Sequence, residues 1–206
     1  MNKSKVVKEI FEWAEMLAVS VCAVLILMTV VVRHSPVTGH SMYPTLIGAP
    51  ASLPDPLAAP AGQNDVLLIS DLFYTPKSGD IVVTQANGHM ENPLVKRVIA
   101  AEGQSLRIDF ETWSVYVDGE KLDEPYVNKV DYPMNKQNYD EFMAQSCKLN
   151  EDGSYTIPDG YVFCMGDNRN GSADSRLEAI GLIDKRLVVG KVLFRVFPFD
   201  RIGAVK

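Results

Sequence analysis

The sequence predicts a mostly β protein: an antiparallel β-sheet domain preceded by one N-terminal transmembrane helix. Three observations predict it. Met16–Val32 is an uncharged run of seventeen residues, almost all Leu, Val, Ala, Ile or Met. Beyond Arg33, short segments rich in Val, Ile, Phe and Tyr alternate with turn residues, the signature of a β sandwich or barrel. Helical periodicity is thin in that stretch, confined to Tyr139–Cys147 and a turn or two after Ser175. The chain of 206 residues therefore divides into residues 1–33, a cytoplasmic tip and anchor, and residues 34–206, an extracytoplasmic β-domain with a Pro/Ala-rich insert at 48–63.

The anchor follows from length. A helix needs about 20 apolar residues to cross the hydrocarbon core, and about 17 is the lower limit. Trp13 opens the run and Arg33 closes it, while Lys3, Lys5 and Lys8 precede it. The excess of lysine on the near side places residue 1 in the cytoplasm and the body outside. Glu12 and Glu15 blur the inner boundary by a turn. A cleaved leader would be shorter and end in small residues, which Val31-Val32-Arg33-His34 does not supply. A buried core helix would show polar positions every third or fourth residue.

Charge separates the two parts. Residues 1–33 hold four basic and three acidic side chains, which leaves 16 Lys/Arg against 23 Asp/Glu in the body. An acidic body argues against a nucleic-acid partner, whose footprint is a basic patch or stripe. Of three cysteines, Cys22 lies in the anchor, so only Cys147 and Cys164 are placed to bridge. An extracytoplasmic address permits a disulfide, although Cys164 sits in the strand-like run Tyr161–Met165 and reads as a small buried thiol.

Seven strands are expected: Val66–Ser70, Asp80–Gln85, Leu94–Ala100, Ser105–Phe110, Trp113–Val117, Tyr161–Met165 and Lys191–Phe197. Asp118-Gly119 is a two-residue hairpin signal, because such turns demand positive φ. The stretch 48–63 holds four prolines, five alanines and a single charge. Proline removes ladder donors, so this is a surface loop or tether rather than a central strand.

Among candidate chemistries, a Ser-His-Asp triad is weak. His34 borders the membrane, His89 lies in a polar loop, and His40 is adjacent to Ser41, where neighbouring side chains of extended chain point apart. No His, Cys or Asp spacing resembles a metal ligand set, and no cofactor is expected. A serine with a lysine base remains. Lysine titrates near 10.4 in water, and burial disfavours its charged form and lowers that value. Lys96 stands inside Leu94-Val95-Lys96-Arg97-Val98-Ile99-Ala100 and shares a face with Leu94, Val98 and Ala100. From the residues alone the stronger reading is a solvated lysine on an edge strand, since lysine is rarely buried. Ser41, in Thr38-Gly39-His40-Ser41-Met42-Tyr43-Pro44-Thr45, likewise reads first as a turn residue.

Four blocks occur in order: Gly39-His40-Ser41-Met42-Tyr43-Pro44-Thr45; Gly79-Asp80-Ile81-Val82-Val83; Lys96-Arg97-Val98-Ile99-Ala100 with Gly103-Gln104; and Gly166 through Arg176. Together they resemble the motif blocks of type I signal peptidase, and the single anchor resembles the Gram-positive form of that family. The resemblance spans residues 36–198, apart from the insert and the segment between Tyr126 and Ser154. It implies a membrane-bound serine endopeptidase that removes signal peptides from secreted preproteins after small-x-small (Ala-x-Ala) sites.

By that resemblance Ser41 is the nucleophile and Lys96 the general base, which reverses the reading from composition. Arg97 matches the arginine after the base, and Ser172 a serine that hydrogen-bonds and orients the lysine. Asp174 and Arg176 match a structural ion pair. Gly39 falls where some relatives carry an oxyanion serine, so the hole here would rest on backbone N–H groups, including that of Ser41. Val37, Met42, Leu46, Leu94 and Val95 are the expected pocket walls, with core packing the competing role. The expected partners are the lipid bilayer and signal-peptide-bearing preproteins, with a secretion translocon nearby but no contact with it inferable. The insert is a departure from the family, and its Ala59-Pro60-Ala61 before Gly62 fits a self-cleavage site. Two competing readings are a self-cleaving repressor-type Ser-Lys protein, which would carry a DNA-binding helix-turn-helix, and a membrane-anchored peptide-binding β-domain, which would need neither Ser41 nor Lys96.

Overall fold

The computed structural model describes residues 3–26, 32–50, 63–85, 93–127 and 136–205. The chain falls into two units, Met1–Arg33 and His34–Lys206. The first holds helix α1 (Lys3–Ile26). Among the described residues no helix is long and apolar enough to cross a membrane. Within the described part of α1, which runs to Ile26, a membrane-length stretch takes in Glu9, Glu12 and Glu15. Residues 27–31 of the expected apolar run lie outside the described residues, as do residues 51–62 of the insert, including Ala59 through Gly62.

The second unit is built of antiparallel sheet. Its strands in chain order are β1 (Arg33–Pro36), β2 (Val66–Ser70), β3 (Ile81–Thr84), β4 (Leu94–Ala101), β5 (Ser105–Asp109), β6 (Ser114–Val117), β7 (Glu120–Lys121), β8 (Lys148–Leu149), β9 (Tyr155–Thr156), β10 (Tyr161–Met165), β11 (Ile183–Asp184) and β12 (Val188–Phe197). A seven-stranded sheet runs β1-β2-β12-β3-β4-β10-β11, and a five-stranded sheet runs β7-β6-β5-β9-β8. Helix α2 (Lys136–Ser146) buries Tyr139 and Met143, one turn apart.

All seven expected strands form: Val66–Ser70 and Tyr161–Met165 as expected, the others with one or both ends moved by one to three residues. The Asp118-Gly119 hairpin forms as well: Val117 pairs with Glu120, and both turn residues take positive φ, 53° and 81°, which matches a primed turn. Five further strands, β1, β7, β8, β9 and β11, are two to four residues long, too short to show a period. Cys147 and Cys164 are both free thiols, half-buried and buried.

The decisive placement is β4. It lies between β3 and β10, so both of its edges are paired, and residues 96–100 are all buried. The edge strand with a solvated Lys96 is thereby overturned. Near its end the register against β10 passes from Cys164↔Val98 to Phe163↔Ala100, which leaves Ile99 as an extra residue. Such a bulge bends the strand and breaks the two-residue alternation. Ile99 and Ala100 consequently both join the cluster of Leu106, Tyr139, Met143 and Phe163, while Val98 packs with Val82, Val162 and Cys164.

Candidate active site

Three segments meet around Lys96. The first is the turn after β1, which runs back on itself. Tyr43 N–H donates to His40 O at 3.1 Å and Leu46 N–H to Met42 O at 2.9 Å, and the Tyr43–Pro44 peptide is cis. The second is β4. The third is the loop after β10, whose Asn168 holds the turn at two points: its N–H donates to Ser41 O at 3.0 Å and its Nδ2 to His40 O at 3.1 Å.

These clamps bring Ser41 and Lys96 together across 55 residues of sequence. Lys96 Nζ lies 2.8 Å from Ser41 Oγ and also donates to Val95 O at 3.1 Å. The lysine is 2% exposed. Burial lowers its pKa to about 8, with Asp174 pulling weakly the other way. A buried amine that loses its proton near neutral pH, within hydrogen-bond reach of a hydroxyl, can serve as a general base.

Arg97 points away from Lys96 and packs between two partners. Its Nε and Nη2 donate to the Asp167 carboxylate at 2.8 and 2.7 Å, and its guanidinium carbon stands 3.8 Å from the centre of the Tyr126 ring. Asp167 also accepts from Thr45 Oγ1 at 2.5 Å, so it joins the serine turn to the lysine strand. Asp174 and Arg176 form a buried pair, Arg176 Nε to Oδ1 at 2.8 Å and Nη2 to Oδ2 at 2.9 Å. Burial pushes the Asp174 carboxyl up, but the bonds and charge of Arg176 prevail and hold it below the usual carboxylate range.

The remaining residues fall differently. The hydrogen bond from Ser172 to the lysine is not formed. The Ser172 hydroxyl is buried, faces the Asp174 carboxylate without an aligned bond, and lies over Gly166. Gly39 takes a φ of 77° and donates its N–H to Ala49 O at 2.6 Å, so that donor is engaged. The Ser41 N–H has no acceptor among the described residues. Val37, Met42 and Leu46 are buried in one core cluster with Leu67, Ile69 and Ile81. A cavity of about 360 Å³ opens beside Ser41 and Lys96, lined by Leu94 and Val95 together with His34, Ser35 and Thr38.

Sequence reasoning assigned no role to Asp167, Asn168 or Thr45, nor to Glu124, which pairs with the buried Arg169. Three of these lie inside quoted motif blocks, yet all four have partners that stand 45 to 128 residues away and leave no local pattern. Among the described residues no group of three His, Cys, Asp or Glu is placed to hold a metal ion.

Comparison with known proteins places the chain in a setting. A family model described as signal peptidase, peptidase S26, matches residues 10–197. The chain is 33% identical over 200 residues to Signal peptidase IB of Staphylococcus aureus strain COL, covering 94% of this chain and 92% of that protein. It is 32% identical over 197 residues to Signal peptidase I of Bacillus licheniformis, with 94% and 91% covered. A crystal structure of a signal peptidase I from Enterococcus faecalis V583 aligns at 26% identity with a TM-score of 0.41, over 58% of this chain and 97% of that one.

Proposed function

Because the chain belongs to the signal peptidase family, peptidase S26, and is a serine peptidase of that class, we propose that Ser41 and Lys96 are its catalytic dyad. We infer further that it removes signal peptides from preproteins after small-x-small sites. The observation that carries this reading is the 2.8 Å contact between a buried Lys96 Nζ and Ser41 Oγ.

With Lys96 in the amine form, the Ser41 hydroxyl donates to Nζ. As Oγ attacks the scissile carbonyl the proton passes to Nζ, and the negative charge collects on the former carbonyl oxygen. The Ser41 N–H, which has no acceptor among the described residues, is the donor we assign to that charge; losing one such donor costs about 10²–10³ in rate in other serine peptidases. Collapse of the intermediate breaks the C–N bond, and the Lys96 ammonium returns its proton to the departing amine. A water then attacks the acyl ester with Lys96 again as base, which releases the carboxylate product and regenerates Ser41.

The substrate lies extended in the cavity between the segment of His34, Ser35 and Thr38 and that of Leu94 and Val95. Alternate side chains of an extended peptide enter the same wall, so residues −1 and −3 are read together. Residues 1–33 act as a membrane anchor, supported by the uncharged Met16–Val32 run, with the body outside. Purified full-length protein in detergent should cleave an Ala-x-Ala peptide. Ser41→Ala or Lys96→Ala, with circular dichroism unchanged, should each abolish turnover. Retained cleavage in Lys96→Ala removes the mechanism.

A further inference from the structure

Asp65 is fully buried, precedes β2, and belongs to none of the four motif blocks. A carboxylate out of water must be paired and hydrogen-bonded to be tolerated. Its Oδ2 accepts from Ile47 N–H at 2.9 Å and from Arg195 Nη1 at 3.0 Å, and its Oδ1, which has no aligned hydrogen bond, forms an ion pair with Arg201 Nη2 at 3.0 Å. The backbone of the same residue is engaged too: Asp65 N–H donates to Ile47 O at 2.8 Å, and Asp65 O accepts from Val37 N–H at 2.8 Å. One residue thus holds the chain four positions before Ser41 and six positions after it.

The two arginines come from the other end of the protein. Arg195 lies on β12 and bonds Thr45 O through Nη1 at 3.3 Å. Its backbone pairs with Gly203 in both directions, and its Nε donates to Arg201 O at 2.7 Å. Arg201 Nη2 also reaches Gln63 O at 3.4 Å. Val205 packs against the core cluster that contains Met42 and Leu46. The last residues therefore fold back over the base of the serine turn and close on Asp65.

We propose that Asp65, Arg195 and Arg201 form a positioning clasp through which the carboxy-terminal segment holds Ser41 in register with Lys96. The inference rests on the dyad reading above. No member of the clasp touches Ser41 or Lys96, so all three are positioning residues. The turn is held on its inner side by Asn168 and Asp167 and on its outer side by the clasp. With the clasp open, Thr45 and Ile47 lose their outer contacts and the hydroxyl drifts from the amine. Misplacement of a reacting group by about 1 Å costs on the order of 10²-fold in rate, and partial release costs less.

The test uses full-length protein in detergent and an Ala-x-Ala peptide, with Ser41→Ala alongside. Arg201 is the informative position because its side chain is 29% exposed, so Arg201→Ala is expected to fold, which circular dichroism checks. Arg201→Ala should lower kcat about tenfold with KM within about twofold, and Arg201→Lys should recover most of the loss, as expected for a positional effect. The basic pH limb should stay where it is in wild type, because the base is untouched. Asp65→Asn should show the same split between kcat and KM where it folds. A lowered melting temperature with wild-type kcat in both Arg201→Ala and Asp65→Asn overturns the proposal and leaves only a structural clasp. Cleavage that survives in Ser41→Ala overturns it together with the dyad, whereas an inactive Ser41→Ala beside a fully active Arg201→Ala overturns it alone.

Discussion

Arg97 meets Asp167 through two parallel hydrogen bonds, Nε to Oδ1 at 2.8 Å and Nη2 to Oδ2 at 2.7 Å, with both side chains out of solvent. Because Arg97 follows Lys96 on β4 and Asp167 also takes the Thr45 hydroxyl, the pair ties the strand of Lys96 to the turn of Ser41, the two residues proposed as the dyad. Asp167→Asn leaves a buried guanidinium without a counter-charge. Breaking one partner of a buried pair costs about 3–5 kcal/mol, so chemical denaturation should show a loss of that order. A variant within about 0.5 kcal/mol of wild type, the range of an ordinary surface change, would mean the pair is not what holds these strands.

Gly166 and Gly171 are required for space. A Cβ on Gly166 would fall 2.3 Å from Ser41 O and from Ser172 Oγ, and one on Gly171 would fall 2.7 Å from Asn168 Nδ2 and 2.8 Å from the His40 ring. The first clash includes the backbone of Ser41, the second involves only side chains that can give way. Gly166→Ala should reduce kcat by about 10²-fold or more and Gly171→Ala by less, since displacement of the reacting group sets the loss. Steady-state kinetics on both variants checks the order, and equal, small effects would contradict it.

Lys96 carries a stability cost whose sign follows from its depressed pKa of about 8. Below pH 8 both folded and unfolded chains hold the proton, and the folded state bears the full cost of a buried ammonium. Between pH 8 and the unfolded value of 10.5 the unfolded chain binds more protons, so stability rises with pH across that window and the cost vanishes above it. The full cost is about 3 kcal/mol. Lys96→Met should therefore be more stable than wild type at pH 7, with the gap narrowing toward pH 10. A gap independent of pH would show that the lysine is not titrating in this way.

Much of the fold was legible because it is local. Seven strands announce themselves by β-branched and aromatic content, and the Asp118-Gly119 turn by its φ requirement. Lys96 was misread from composition because whether β4 is central or at an edge depends on β3 and β10, which no period along β4 encodes. Arg97, Asp167 and Asp65 show the same limit at the site: their partners lie 70 and 130 residues away in the bonds to Asp167 and from Arg195. Four ordered motif blocks pointed to Ser41 and Lys96, whereas Asp65 stands outside every block and only the fold shows what it holds. Ser172 is the converse case, a residue named by resemblance whose hydroxyl lies against Asp174 rather than on the lysine.

The most direct test of the dyad is the pH dependence of kcat/KM for an Ala-x-Ala peptide, which reports titration in the free enzyme. The amine is the active form, so the rate should climb about tenfold per pH unit until it levels near pH 8, where burial has placed Lys96. A rate that levels near 6.5, the ordinary value of histidine, or that keeps rising toward 10.5 as for a solvated lysine, would contradict the account.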